Sequence, residues 1–282
     1  MIKIAIQGIT GCFHEIAAYK FFGERQKLQT IECNSFEQMF RAFKQDNEIF
    51  GVMAIENTVA GSILPNYSKL MLSDMQIIGE VYLRIEQNLL TLPNVKLEDI
   101  TEVRSHPMAL LQCLSFFEKY PQIKLTETAD TALSAKELSK NPSNKNIGAI
   151  ASFLAADRYK LNVLVEGIET NKRNFTRFLV LQNKDLVDQK DQMVNKSSIW
   201  FKTGHTPGSL ATVLGIFAKN NINLTKIQSL PVIGREWEYL FLADLEFSEL
   251  EDFNTALNQS DEFISELHIL GKYLKGIRFR TV

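Results

Sequence analysis

MIKIAIQGITGCFHEIAAYKFF, residues 1–22, decides how the rest of the chain is read. Residues 2–6 form a short apolar run that predicts a buried strand, and Gly8-Ile9-Thr10-Gly11 predicts a turn. Phe13, Ile16, Ala17 and Phe21 then repeat at helical spacing. A strand passing through a tight turn into a helix opens an α/β unit, and the pattern continues. A helix is predicted near 35–45 and an apolar strand over Gly51–Ile55 that ends in Glu56-Asn57. Further strands fit Gln76–Val81, Gln87–Leu92, Glu102–Ser105 and Ile147–Ile150, with helices at 107–119 and 130–139. The expectation is a largely parallel α/β sheet with ligand-bearing residues at strand ends.

The rhythm changes after residue 183. Asn183–Asn195 contains KDLVDQKDQ, which is polar and has no periodic apolar face, so 184–195 reads as a linker. Beyond it come a strand at Ser197–Lys202, a turn at His205-Thr206-Pro207-Gly208, and a helix with Leu210, Val213, Leu214, Phe217 and Ala218 on one face. A strand follows at 222–229. Strict alternation over 237–247 then puts Trp237, Tyr239, Phe241, Ala243, Leu245 and Phe247 on one side. A helix near 249–259 and a strand near 264–270 complete the order βαββαβ, a ferredoxin-like unit.

Totals narrow the function classes. A chain of 282 residues fits about two domains. Lys plus Arg number 31 and Asp plus Glu 33, a net charge of −2 that supplies no field for nucleic acid or an anionic membrane. The opening residues lack the apolar core of a signal peptide, and no segment has the length to span a bilayer. Cys12, Cys33 and Cys113 are widely spaced without CxxC, which reads as reduced thiols in a cytoplasmic protein. The four histidines show no ligand spacing, so no metal is expected.

Four places set polar side chains at the ends of apolar elements. Gly8–His14 is a glycine turn opening a helix, either an anion site or a tight βα turn. It lacks GxGxxG and so is no dinucleotide fingerprint. Cys12 and His14, at i and i+2 on a helix, point to different faces, which argues against a nucleophile–base pair. Ile55-Glu56-Asn57-Thr58 suits substrate hydrogen bonding or helix capping equally. Ser105-His106-Pro107 with Gln112 reads first as a helix cap. The fourth, KRNFTRFLVL (172–181), places Asn174, Thr176 and Arg177 among Phe175 and Phe178 at the start of a buried strand. Alternation sets Asn174, Thr176 and Phe178 on one side and Phe175 and Arg177 on the other. Thr176 and Arg177 share a ligand only if the strand ends or twists there.

These segments, in this order, resemble the prephenate dehydratase family. Gly8-Ile9-Thr10-Gly11-Cys12-Phe13-His14-Glu15-Ile16-Ala17-Ala18 looks like its glycine-rich opening, and Ala54-Ile55-Glu56-Asn57-Thr58 like its Pro-Ile-Glu-Asn-Ser segment. Ser105-His106-Pro107 with Gln112-Cys113 matches a third motif, and Asn174-Phe175-Thr176-Arg177-Phe178 matches its signature Asn-x-Thr-Arg-Phe. The resemblance implies a catalytic region over 1–183 with two α/β lobes, similar to a periplasmic binding protein, and an ACT regulatory domain over 196–282. It also implies that Thr176 is needed for activity. Gly208-Ser209-Leu210 and Gln228-Ser229-Leu230-Pro231 look like the family's effector motifs Gly-Ala-Leu and Glu-Ser-Arg-Pro. Gln228 and Leu230 replace a Glu and an Arg there, and Cys12 and His14 replace hydroxyl residues in the opening motif.

The implied reaction expels the ring hydroxyl of prephenate as water and its ring carboxylate as carbon dioxide, giving phenylpyruvate. It requires no redox cofactor or electron sink. The expected catalytic residues are Thr176 as donor to the leaving hydroxyl, Arg177 as partner of the side-chain carboxylate, and Glu56 and Asn57. Thr10, Gly11, Ser105, Gln112, Asn174, Phe175 and Phe178 are expected to bind substrate. Phenylalanine is the expected effector and a homodimer or homotetramer the expected assembly. A chorismate mutase domain is not expected, since the chain opens on its first strand. The alternatives are arogenate dehydratase and a non-catalytic small-anion sensor, which would have no need of Thr176.

Overall fold

The computed structural model describes residues 1–280 except 189–192, 233 and 235–237. The chain begins β1 (Ile2–Gln7), α1 (Phe13–Phe22), β2 (Leu28–Cys33), α2 (Phe36–Gln45), β3 (Phe50–Asn57), β4 (Gly61–Ser62), α3 (Leu64–Met71) and β5 (Met75–Arg84). It continues through β6 (Asn88–Thr91), β7 (Glu102–Ser105), α4 (Pro107–Gln112), α5 (Leu114–Phe117), β8 (Lys124–Glu127), α6 (Thr131–Lys140), β9 (Ile147–Ala151), α7 (Phe153–Tyr159), β10 (Asn162–Val165) and β11 (Phe175–Asn183). The last elements are β12 (Lys196–Thr203), α8 (Ser209–Lys219), β13 (Asn223–Pro231), β14 (Tyr239–Glu246), α9 (Leu250–Ser260), β15 (Ile264–Tyr273) and β16 (Arg278–Phe279).

Two compact units result. One holds 1–69, 81–180 and 277–282, and the other 70–80 and 181–276. The first unit carries two sheets. One runs β16-β5-β11-β3-β1-β2, with β1 parallel to both β2 and β3. The other runs β10-β6-β9-β7-β8, with β7 parallel to β8 and β9. The mixed α/β character and the two lobes follow the expectation. The second unit has the antiparallel sheet β13-β14-β12-β15 and the chain order βαββαβ, which is ferredoxin-like. Its core places Phe201, Val213, Phe217, Ala243, Leu245 and Phe253 at full burial, so the centres of the predicted faces of α8 and β14 point inward, while Ala218 and Tyr239 of those faces are exposed. Trp237, and 189–192 of the expected linker, lie outside the described residues.

Local chemistry explains where elements start and where the reading missed. Ser35, Asp130 and Ser152 cap α2, α6 and α7 through side-chain oxygens. The helix expected over 107–119 is two short ones, because Cys113 leaves helical geometry (φ −108, ψ 6). β16 pairs in parallel with β5, Arg278 beside Tyr82 and Phe279 beside Leu83, so the end of the chain joins the first sheet. That strand has only two residues and no sequence periodicity to announce it.

Gly51 in β3 shows how tightly that sheet meets its helix. A Cβ there would sit 2.4 Å from Cζ of Phe43 on α2, inside contact distance of a ring that is itself buried. Gly51→Ala therefore has to displace the ring and is expected to cost about 1–3 kcal/mol of stability. A urea midpoint unchanged from the parent would show that the ring relaxes freely.

Candidate active site

One pocket of the first unit collects residues from both of its sheets. Gln7, Cys12, Phe13, His14, Ala54, Asn57, Thr176 and Phe178 contribute from the first sheet and its helix; Gln87, His106, Met108, Gln112, Asp130 and Thr131 come from the second lobe and the segment leading into it. Strands β1, β3 and β7 end here, as the strand-end rule for α/β sheets requires.

The pocket is organised by a chain of side-chain amides. Asn57 Oδ1 accepts from the backbone N–H groups of Val59 (2.9 Å) and Ala60 (2.8 Å), which orients its amide. Its Nδ2 therefore faces β11, where it donates to Asn174 Oδ1 (2.7 Å) and Thr176 Oγ1 (2.9 Å). Asn174 Nδ2 in turn donates to Gln112 Oε1 (3.0 Å), and Gln87 Nε2 reaches the same oxygen at 3.4 Å. The Thr176 hydroxyl thus accepts from Asn57 and keeps its own proton to donate. Thr58 pins the same corner: its N–H donates to the Phe175 carbonyl and its Oγ1 to the Arg173 carbonyl.

Apolar neighbours fix the other wall. Phe178 packs edge-on against the His14 ring with centroids 5.0 Å apart, and both line the pocket. His14 Nε2 accepts from Ala54 N–H (3.3 Å), and burial drives its pKa down to about 3, so the ring is neutral. Burial likewise pushes the Cys12 thiol up to about 12. Burial thus favours the neutral imidazole of His14 and the un-ionised thiol of Cys12.

Several expected residues lie elsewhere, for definite reasons. Arg177 is on the opposite face of β11 from Thr176 and Phe178, buried, with its guanidinium over the Tyr82 ring (5.9 Å). The strand does not twist enough to bring both to one ligand, so the expected sharing fails by simple alternation. Phe175 is on that same far face, under the Arg278 guanidinium (5.7 Å). Glu56, next to Asn57 in β3, is not among the residues that line the pocket. Ser105 is fully buried and donates to the Ile150 carbonyl (2.7 Å), bracing β7 to β9. In the glycine turn, Thr10 N–H is taken by Glu32 Oε1 (2.7 Å) and Gly11 N–H by Glu15 Oε2 (2.5 Å), so neither is open to a ligand. The start of α1 has no side-chain cap, which shifts the candidate anion site to Phe13 and His14.

Of the polar residues lining the pocket, Gln7, Gln87, Asp130 and Thr131 carry no signal that sequence reasoning singles out. Asp130 is an ordinary helix cap in sequence, and only folding turns it toward Gly8. In the second unit, Gly208-Ser209-Leu210 open α8 and Gln228–Pro231 end the edge strand β13; Leu230 is buried and Gln228 donates to the Ser229 carbonyl.

A family profile described as prephenate dehydratase matches residues 4–186. The chain belongs to the prephenate dehydratase family. Arogenate dehydratase/prephenate dehydratase 1, chloroplastic, of Arabidopsis thaliana is 37% identical over 287 residues, covering 96% of this chain and 72% of that protein. Among solved structures, one titled as GqqA, a novel type of quorum quenching acylase, superposes with a TM-score of 0.85 at 26% identity, covering 97% of this chain and 98% of that one. The prephenate dehydratase of Arthrobacter aurescens in complex with L-Phe superposes with a TM-score of 0.84 at 24% identity, covering 97% and 90%. The family is one of hydro-lyases of aromatic amino acid biosynthesis. No helix among the described residues is long and apolar enough to cross a membrane.

The buried neutral His14 makes stability depend on pH. Its native pKa of about 3 lies below the usual 6.5, so the unfolded chain binds the proton first. Its contribution is complete above pH 6.5 and is lost as pH falls toward 3. Between pH 7 and 5 it should remove about 2 kcal/mol. Denaturant titrations of the parent and of His14→Gln, which keeps an acceptor for Ala54, should differ by that amount in their pH dependence.

Proposed function

We propose that this chain converts prephenate to phenylpyruvate, with loss of water and carbon dioxide, on the route to phenylalanine. The observation that carries the reading is the Asn57–Asn174–Thr176 cluster beside Phe178, inside a pocket built by the family's own motifs. Thr176, polarised by Asn57, donates a hydrogen bond toward the leaving hydroxyl. A single donor aimed at developing charge is worth about 3 kcal/mol. Gln112 and Asn174 position the ring, and Phe178 is the dry wall beside which loss of a charged carboxylate is favoured.

Among the described residues that line the pocket there is no lysine or arginine, so these residues offer the substrate's carboxylates dipoles. The uncapped start of α1 at Phe13 and His14 suits one of them, because its N–H groups and the helix dipole favour an anion. Arg177 supports β11 from behind and does not clamp the substrate. Arg177→Lys is then expected to change stability more than KM. Arogenate, the amino analogue, is the runner-up, since the relative cited above carries both activities in its name.

We assign 1–183 to the catalytic domain, 184–195 to a linker and 196–282 to an ACT domain, with Arg278 and Phe279 of β16 returning to the catalytic sheet. Phenylalanine is the proposed effector at Gly208–Leu210 and Gln228–Pro231, supported by the L-Phe complex of the Arthrobacter relative. A cytoplasmic homodimer or homotetramer is the proposed form. Prephenate turnover followed by phenylpyruvate absorbance tests the whole reading, with arogenate in parallel. Thr176→Ala should lower kcat by about 10²–10³-fold with little change in fold; near-parent turnover would remove Thr176 from the chemistry. Added phenylalanine should inhibit, and an unchanged rate would trace to the charges missing at Gln228 and Leu230.

A further inference from the structure

Thr176 is a hydrogen-bond donor but a poor acid, while the reaction must deliver a whole proton to a departing hydroxide. Among the described residues lining the pocket there is one carboxyl, Asp130. Its Oδ1 is committed to the helix, accepting from Leu133 N–H (2.9 Å) as the cap of α6. Its Oδ2 extends across to the first sheet, where a Cβ built on Gly8 would come within 3.1 Å of it. Gly8 has φ +107 and no side chain, so the turn after β1 leaves this oxygen its space.

The groups facing Asp130 come from each element around it. Burial is the largest influence and raises its pKa; the amide N–H groups of Leu133 and Ala132 and the His106 ring of the α4 cap lower it, and Glu32 at the end of β2 raises it. Cys12 of the α1 cap and the Tyr159 phenol feel the same carboxyl and are themselves held un-ionised. The net direction is upward, toward the protonated form. A substrate bearing two carboxylates adds like charge to the pocket and drives the direction further.

We propose that Asp130 is the general acid of the reaction. The inference rests on the reading of this pocket as a prephenate site. The proton on Oδ2 passes to the ring hydroxyl as its C–O bond breaks, and water leaves. The bond from the ring to its carboxylate breaks in concert; its electron pair completes the aromatic ring, and carbon dioxide departs. Asp130 is left as carboxylate and is reprotonated from solvent, which balances the one proton the overall reaction consumes. Thr176 and Asp130 thus divide the task, one orienting the hydroxyl and the other supplying the proton.

Asp130→Asn keeps an oxygen for Leu133 and removes the proton, and Asp130→Ser keeps a shorter cap with the same loss. Both should retain the parent's circular dichroism and lower kcat on prephenate by about 10²–10³-fold, with KM changed much less. The parent's kcat should fall as pH rises through the Asp130 pKa, and that alkaline limb should be absent from both variants. Asp130→Glu, which restores an acid, should recover part of the rate and the limb. Parent-like kcat in Asp130→Asn, or a slowed variant that keeps the alkaline limb, would overturn the assignment. So would a loss confined to arogenate, which would make the carboxylate a partner for that substrate's ammonium. A parent chain with no prephenate turnover would instead defeat the proposed reaction itself.

Discussion

The pocket depends on which way one amide points. Asn57 spends its carbonyl on two backbone N–H groups of its own turn, so its NH₂ must face β11. From that constraint follow the orientation of Asn174, the direction of its bond to Gln112, and the acceptor role of the Thr176 oxygen. Each is a buried or half-buried polar group whose alternative would be an unmet hydrogen bond costing about 1–3 kcal/mol. The Thr176 hydroxyl is thereby left with its own proton to donate by an amide more than a hundred positions away in sequence. Asn57→Asp would leave the two turn N–H groups an acceptor but take away the donor, which is why the amide and not merely its size matters.

Charge is distributed around this amide chain in an unexpected way. The guanidinium beside Thr176 in sequence is behind the sheet, against Tyr82, and the glycine-turn N–H groups are already bound to Glu32 and Glu15. What remains for an anion is backbone polarity at the start of α1, and what remains for proton transfer is a carboxyl whose burial favours its acid form. A decarboxylation suits such a site. A cation clamped on the departing carboxylate would hold the charge that has to be lost, whereas dipoles and a dry phenylalanine wall bind without opposing its loss.

Much of the fold was legible because the main elements announce themselves locally. β1, β3 and β9 are apolar runs, and α1, α2, α6 and α8 have helical spacing or capped starts. The elements missed were β2, β4, α3, β8, α7, β10 and β16. β2, Leu-Gln-Thr-Ile-Glu-Cys, carries two exposed polar residues and is a strand because β1 pairs with all six of its positions. β16 has two residues and exists only by pairing with β5. The helix expected over 107–119 broke at Cys113, a position at which nothing in the apolar pattern marks a stop.

The sequence by itself determined the family and the motifs that carry it: the Asn-x-Thr-Arg-Phe stretch, the Glu-Asn corner, the Ser-His-Pro cap and the βαββαβ unit are local patterns that survive without a fold. It also determined that neighbouring strand residues face opposite ways, which already divided Thr176 from Arg177. Only the tertiary structure decided that β11 stays straight enough to keep that division. It alone showed that the first N–H groups of the glycine turn are occupied and that the cap of α6 lies across from Gly8. The physical reason is range. Periodicity and capping act over a few residues, whereas hydrogen-bond occupancy and desolvation depend on partners that the chain brings together from more than a hundred residues apart.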